Sequence, residues 1–205
     1  MKNFLLNVLF PKFCLNCGRE GTYFCEDCQA CVEISEDDFC LCEKPKLIAE
    51  IGKCKNCQAK ELDGLYFAVS YQNKIIKRLI KQFSSEPYIK ELAGPLTNLI
   101  ITYFLLSKKS EKSWKNKILV PFPLPKKEMK RIGFSPAEEI AKHLSNAMKI
   151  PCLNIAEKEG LKDKNILLVN DIYTDGKGMN EAARILKEAG AIKVEGITIA
   201  RELID

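Results

Sequence analysis

An α/β fold with a mainly parallel sheet, preceded by a small cysteine-rich module, is what this sequence predicts, and three observations carry the prediction. Nine of the ten cysteines lie between Cys14 and Cys57, mostly in pairs. From Leu65 the cysteines give way to apolar, strand-like runs alternating with helical patterns, beginning with LYFAVSY and KIIKRLIKQF. Towards the C-terminus, KNILLVNDIYTDGKGMNEAARILKEAGAIKVEGITIA reads as strand, Gly-containing loop, helix and strand, a βαβ unit. At 205 residues with 46% hydrophobic content, the chain can bury one substantial core and add a small module. Asp63 and Gly64 mark the junction, which divides residues 1–62 from 63–205.

The opening MKNFLLNVLF is too short for a membrane span and is followed by Pro11, with no small-residue cleavage site. It is expected to form a short amphipathic helix in a protein without an export signal or stable membrane insertion, hence a cytoplasmic one. A reducing compartment favours metal over disulfides for the cysteines. Cys14 and Cys17 stand in CLNCG and Cys25 and Cys28 in CEDC, and two residues between thiols let both reach one Zn²⁺ at ~2.3 Å. Cys40, Cys42, Cys54 and Cys57 form a second candidate quartet, although CLC has a one-residue spacer. Cys31 is an alternative ligand, and pairing the first and third pairs is an alternative grouping. Zinc here is expected to be structural, because a segment this small buries too little apolar surface to fold unaided. No histidine or carboxylate completes an open, catalytic site. Cys152 reads as a small buried hydrophobe.

Beyond the junction the expected order is strand LYFAVSY, helix KIIKRLIKQF, a helix over roughly Tyr88 to Leu106, strand ILVPF, and a helix from Pro136 to Met148 capped by Ser135. The βαβ unit follows. Ligands of such sheets collect beyond the carboxyl ends of strands, where loop amides and the next helix N-terminus favour anions. Thr174, Asp175, Gly176, Lys177 and Gly178 are therefore the candidate phosphate cradle, with Asn170 and Asp171 just before it. The loop has neither the nucleotide P-loop form nor the dinucleotide Gly pattern. A serine–histidine hydrolase has no support either, since His143 is the only histidine and has no visible partner.

Charge is uneven. Lys108, Lys109, Lys112, Lys115, Lys117, Lys126, Lys127, Lys130 and Arg131 form a basic stripe that could attract phosphates or nucleic acid, with Trp114, Phe122 and Phe134 nearby as aromatics able to stack or to pack.

The string VNDIYTDGKGM resembles the phosphoribosyl pyrophosphate (PRPP) motif of type I phosphoribosyltransferases, in which an apolar strand runs into two acidic residues and a Thr-rich loop. Together with the cysteine knuckle and PFPLPKKEMKRIGFSPAEEIA, it makes nearly the whole chain similar to the competence-associated ComF family. The resemblance implies a phosphoribosyltransferase-like fold and PRPP held with Mg²⁺. Asn170 and Asp171 would face the ribose hydroxyls as the catalytic pair, and residues 174–178 would hold the 5′-phosphate; apart from the resemblance, Lys81, ending the helix after the first strand, could meet the pyrophosphate or stand as an exposed helix-end lysine. The resemblance further implies a role in handling incoming single-stranded DNA, alongside DNA-uptake proteins, in natural transformation.

The departures are specific. Asn170 replaces one carboxylate, and Asp175 and Gly178 replace hydroxyl-bearing positions. A carboxylate ~4 Å from a phosphate costs about one to three decades of affinity, unless Lys177 folds back to offset it. Pro125, Ile132, Ser135 and Pro136 stand where the family commonly has His, Arg, Asn and Gln. The segment between Pro151 and Asn165 lacks most of an Arg- and Gln-bearing connector. Two functions follow: a PRPP-binding transferase or sensor of the glycosyltransferase class, or a catalytically inactive zinc adaptor that binds single-stranded DNA or competence partners through the basic stripe.

Overall fold

The computed structural model describes residues 10–107, 114, 116–155 and 158–203. The expected N-terminal helix, and Lys108, Lys109, Lys112 and Lys115 of the basic stripe, lie outside the described residues. The elements are α1 (Glu26–Ala30), β1 (Asp38–Phe39), β2 (Leu47–Ile48), β3 (Gly64–Ser70), α2 (Lys74–Ser84), α3 (Ala93–Leu106), β4 (Lys117–Pro121), α4 (Lys126–Ile132), α5 (Pro136–Met148), β5 (Asn165–Tyr173), α6 (Lys177–Glu188) and β6 (Lys193–Arg201). Strands β3, β6, β5 and β4 lie in that order in one sheet, and every pairing is parallel.

Because both faces of a parallel sheet are covered, its strands read as nearly continuous apolar runs. In β5, Leu167 and Val169 point to one face and Ile166 and Leu168 to the other, all four with no exposed surface. Removing each such side chain from water stabilises the fold by roughly 1.5–3 kcal/mol. On the first face the sheet packs against α2, α3 and α5; on the second it packs against α6. Helix starts follow their caps: Asn73 accepts from the amides of Ile75 and Ile76 at α2, and Ser135 accepts from Glu138 N ahead of Pro136 at α5. Gly94 and Pro95 fall in the first turn of α3, where the missing proline N–H costs nothing.

The cysteine segments join both cores. Cys14, Cys25 and Cys28 belong to the first-face cluster, and Cys40 and Cys57 to the second. Arg78 of α2 donates to Leu15 O at 2.7 Å, holding the first knuckle, and Ser35 N donates to Ala68 O at 2.8 Å along the open side of β3. At the opposite edge Leu119 N donates to Pro151 O and Leu153 N to Leu119 O, so a strip through Pro151–Leu153 pairs with β4 there. Cys152 sits in that covering strip and is exposed, which corrects the expectation of a buried hydrophobe: in the strip, Leu153 turns inward and Cys152 outward. At the junction, the Asp63 carboxylate accepts from Val194 N and Lys187 Nζ, both at 2.9 Å, which pins the chain to β6 and α6.

Among the described residues, no helix is long and apolar enough to cross a membrane.

Candidate functional site

Two features bear chemistry: a pair of cysteine quartets and a crevice beyond the sheet. Cys14, Cys17, Cys25 and Cys28 come together, as do Cys40, Cys42, Cys54 and Cys57, with the sulfurs of each group within 4.8 Å of one another. The interleaved grouping is not formed, and Cys31 is outside both. The first quartet is shaped by a tight turn, in which Gly18 N donates to Cys14 O, and by Cys25 at the N-terminus of α1. In the second, Cys54 N donates to Cys57 Sγ at 3.3 Å and Lys46 N to Cys40 Sγ at 3.2 Å.

Four thiolates around one Zn²⁺ at ~2.3 Å stand ~3.8 Å apart. The separations of 3.5 Å for Cys17–Cys25, 3.5 Å for Cys42–Cys54 and 3.7 Å for Cys54–Cys57 fit a tetrahedral ion. So does the donor chemistry, all sulfur and closed to a fifth ligand. Without an ion the thiols of a quartet cannot all ionise. Amides at Asn56, with Cys42 and others, hold Cys54 down to about 6, while burial and the neighbouring Cys54, Cys40 and Cys57 push Cys42 up to about 12.

The crevice arises from unequal strand lengths. Strand β4 leaves β5 at Pro121↔Val169, whereas β6 follows it to Tyr173↔Arg201. Asn170 and Asp171 therefore lie inside β5 but have lost their neighbour on the β4 side. A cavity of about 220 Å³ opens there, bounded among others by Ser84, Arg131, Ser135, Asn170 and Asp171. A smaller hollow of about 80 Å³, sharing Phe122 and Asn170, continues along residues 172–176. A larger one of about 780 Å³ beside Ser35, Glu36 and Gln72 holds none of the candidate residues.

Asp171 is half-buried at the cavity and accepts hydrogen bonds from Ser84 Oγ and, at 2.9 Å, from Ile172 N. Desolvation raises its pKa above the usual aspartate range; the Ser84 and backbone donors oppose the rise without cancelling it. Asn170 turns its amide back to Ile172 O at 3.0 Å. Thr174 is exposed, and Asp175 accepts from Lys177 N at 3.0 Å while its other oxygen meets Lys177 Nζ at 3.2 Å. The loop thus supplies its own anion to the start of α6, and the lysine is drawn to it. The amide contact, first, and the ammonium lower the Asp175 pKa.

Gly176 has φ +73, and a Cβ there would lie 2.1 Å from the Tyr173 hydroxyl, so both backbone and space demand glycine. At Gly178 a Cβ would come 3.2 Å from the Phe122 ring, so a side chain there would need that ring to shift slightly. Lys81 is exposed one turn before Ser84 on α2 and contributes nothing to the cavity wall. Lys126, Lys127, Lys130 and Arg131 are exposed on α4, which buries no residue and borders the cavity through Glu128, Arg131 and Ile132. Of the aromatics, Phe134 packs on Phe83 and Trp114 on Phe104, while Phe122 lines the site. His143 is exposed, facing Gly94.

Sequence reasoning missed Ser84 and Arg201. Nothing in KIIKRLIKQFS distinguishes a helix-end serine that will cap a distant carboxylate, and Arg201 ends an apolar strand with no partner nearby in sequence.

The architecture is that of a parallel α/β protein with a crevice at the strand ends and two Cys₄ clusters whose sulfurs lie within 4.8 Å of one another. No family model matches the chain. A match of 109 residues at 31% identity relates it to the competence protein ComFC of Bacillus subtilis (strain 168), covering 42% of this chain and 45% of that protein, under half its length. With the two Cys₄ clusters, this similarity supports the resemblance to the ComF family over the matched part of the chain.

Proposed function

We propose that this protein binds PRPP with Mg²⁺ at the crevice, in a cytoplasmic role in DNA uptake during natural transformation, and that its Cys₄ clusters hold structural zinc. The single observation that carries the reading is Asp171: a carboxylate set at the open step of a parallel sheet, directly before a turn that leads into a helix N-terminus. In this reading Asp171 faces the ribose hydroxyls and the metal, with Asn170 beside it as a neutral neighbour. Residues 174–178 take the 5′-phosphate, which must displace the Asp175 carboxylate from Lys177 N, and Lys177 is then released to the phosphate. Lys81 reaches towards the pyrophosphate from α2. Arg131, Ser84 and Ser135 supply further donors at the wall.

One acid and a self-occupied loop support binding more strongly than turnover. Ribosyl transfer needs the departing pyrophosphate neutralised and the developing positive charge flanked by anions, and only Asp171 is in place for the latter. Calorimetric titration of the zinc-loaded protein with PRPP and Mg²⁺, beside Asp171→Ala, tests the proposal. Binding that is lost in the variant is expected; no binding by the wild type at millimolar PRPP overturns it.

A second reading is favoured by α4, a short helix with four exposed basic side chains and nothing buried. There the fold serves as a scaffold, and the basic surface with the zinc knuckle contacts single-stranded DNA or competence partners. Its mark is salt-sensitive DNA binding without PRPP binding.

A further inference from the structure

Arg201 ends β6 and is 1% exposed, one of the largest fully buried side chains among the described residues. Burying a cation costs several kcal/mol unless the charge is paired and its donors are used. Yet among the described residues no carboxylate pairs with it. Among them its one hydrogen bond runs from Nη2 to the backbone carbonyl of Cys42 at 2.8 Å, and Nε and Nη1 find no partner. The guanidinium carbon lies 5.3 Å from the Tyr173 ring centre and 5.7 Å from that of Phe67, so aromatic faces flank it. Desolvation by burial lowers its pKa, and the neighbouring Tyr173 hydroxyl and Cys40, Cys42 and Cys57 thiols oppose that fall.

A zinc ion with four thiolates carries a net charge of −2, and in a buried setting that charge also needs a partner. The first quartet has solvent for this purpose, since Cys17 is exposed, and Arg19 stands outside it, paired with Asp27. The second quartet lies against the sheet, with Cys40 and Cys57 buried. We propose that Arg201 is the built-in counter-charge of the second metal cluster: it offsets the tetrathiolate's negative charge and orients the Cys40–Cys42 turn through the Cys42 carbonyl.

Arg201 also packs on Tyr173, whose hydroxyl lies against Gly176 at the start of α6. The second cluster therefore buttresses the floor of the candidate phosphate loop, and the first does not. Arg201 is a positioning residue, acting through the metal site and the Tyr173 ring.

The inference rests on the reading of the clusters as zinc sites, and its test separates the two. Full-length protein purified with zinc is challenged with a chelator, and released zinc is followed with a colorimetric dye for wild type, Arg201→Met and Arg201→Lys. The wild type is expected to hold two ions per chain. In R201M one ion should leave at least tenfold faster while the other keeps its wild-type rate, and R201K, which retains the charge, should restore most of the difference. Cobalt substitution gives a second readout: R201M should weaken the thiolate-to-metal absorption by about half at limiting cobalt, and R201K should recover it.

If R201M releases both ions at wild-type rates, the role of Arg201 is overturned while the zinc reading stands. A wild type without an ion in the second quartet overturns both. Should R201M fail to fold, R201K decides: wild-type retention of both ions is expected, and fast loss of one despite the retained charge overturns the assignment.

Discussion

The two cysteine quartets have the same ligands and lie on opposite faces of one sheet, yet their surroundings differ. The first is tied to the helical face through Leu15 and Arg78, and its Cys17 meets solvent. The second is seated against β3, β6 and the base of α6, where Asn180 Oδ1 accepts from the amides of Glu61 and Leu62, at 2.7 and 3.3 Å, and the buried Arg201 joins it to Tyr173. The difference teaches that what a cysteine knuckle can do for the fold depends on what its back rests on. One quartet ties a segment to the helical face; the other stands under Tyr173 and the turn at Gly176.

The largest effect expected from this comparison is in the paired substitutions of ligands. Cys40→Ser with Cys57→Ser should remove one ion and lower the melting temperature severely, or prevent soluble accumulation, because a structural zinc site contributes on the order of 10 kcal/mol. Cys14→Ser with Cys17→Ser should remove the other ion with a smaller loss of melting temperature. Metal content and thermal melts check both, and equal losses would erase the distinction between the faces.

Next in size is the crevice itself. Asp171→Asn should weaken PRPP–Mg²⁺ binding at least tenfold by calorimetry, about 1.4 kcal/mol or more, while raising the melting temperature near pH 7–8. The sign follows from the raised pKa: folding disfavours the ionised carboxylate, so the penalty is fully present above the folded-state pKa and vanishes below the unfolded one, near 3.9. The advantage of the neutral amide should shrink as pH falls through the raised value. A melting difference that grows on acidification would mean that the carboxylate is stabilised by folding.

In the loop, Asp175→Thr removes the internal anion from Lys177 N and frees Lys177. Affinity for PRPP should rise by about one to three decades in the limit of close approach, and calorimetry on the same preparation reads it. Unchanged affinity would put the phosphate elsewhere than the start of α6. The smallest effect belongs to α4: replacing Lys126, Lys127, Lys130 and Arg131 by alanine should reduce the salt slope of single-stranded DNA binding by up to about 3, at ~0.7 per phosphate contact. Fluorescence anisotropy across a salt series measures it, and an unaltered slope removes these residues from any nucleic-acid surface.

Much of the fold was legible because it is encoded in short-range patterns. The helix from Pro136 to Met148 and its Ser135 cap could be named in advance, since a cap and a proline at the first helical position act within one turn. The strand through Ile166 to Val169 was equally plain, being apolar on both faces. Its end was not. The run of Asn170 and Asp171 looks like the close of a strand, but pairing with β6 carries it on to Tyr173, and only the neighbouring strand's length could decide that. Cys152 misled for a similar reason, as which way a residue turns in an edge strip depends on its partner.

What the sequence determined by itself was therefore the α/β class, the grouping of thiols into local pairs, and the position of the Asp171 loop, because spacing, caps and hydrophobic periodicity are properties of neighbouring residues. Only the tertiary structure decided which pairs share a quartet, that the two quartets take opposite faces, that Ser84 reaches Asp171, and that Arg201 lies buried beside Cys42. These contacts join positions 87 and 159 residues apart, and their geometry is set by how the helices and knuckles pack on the sheet.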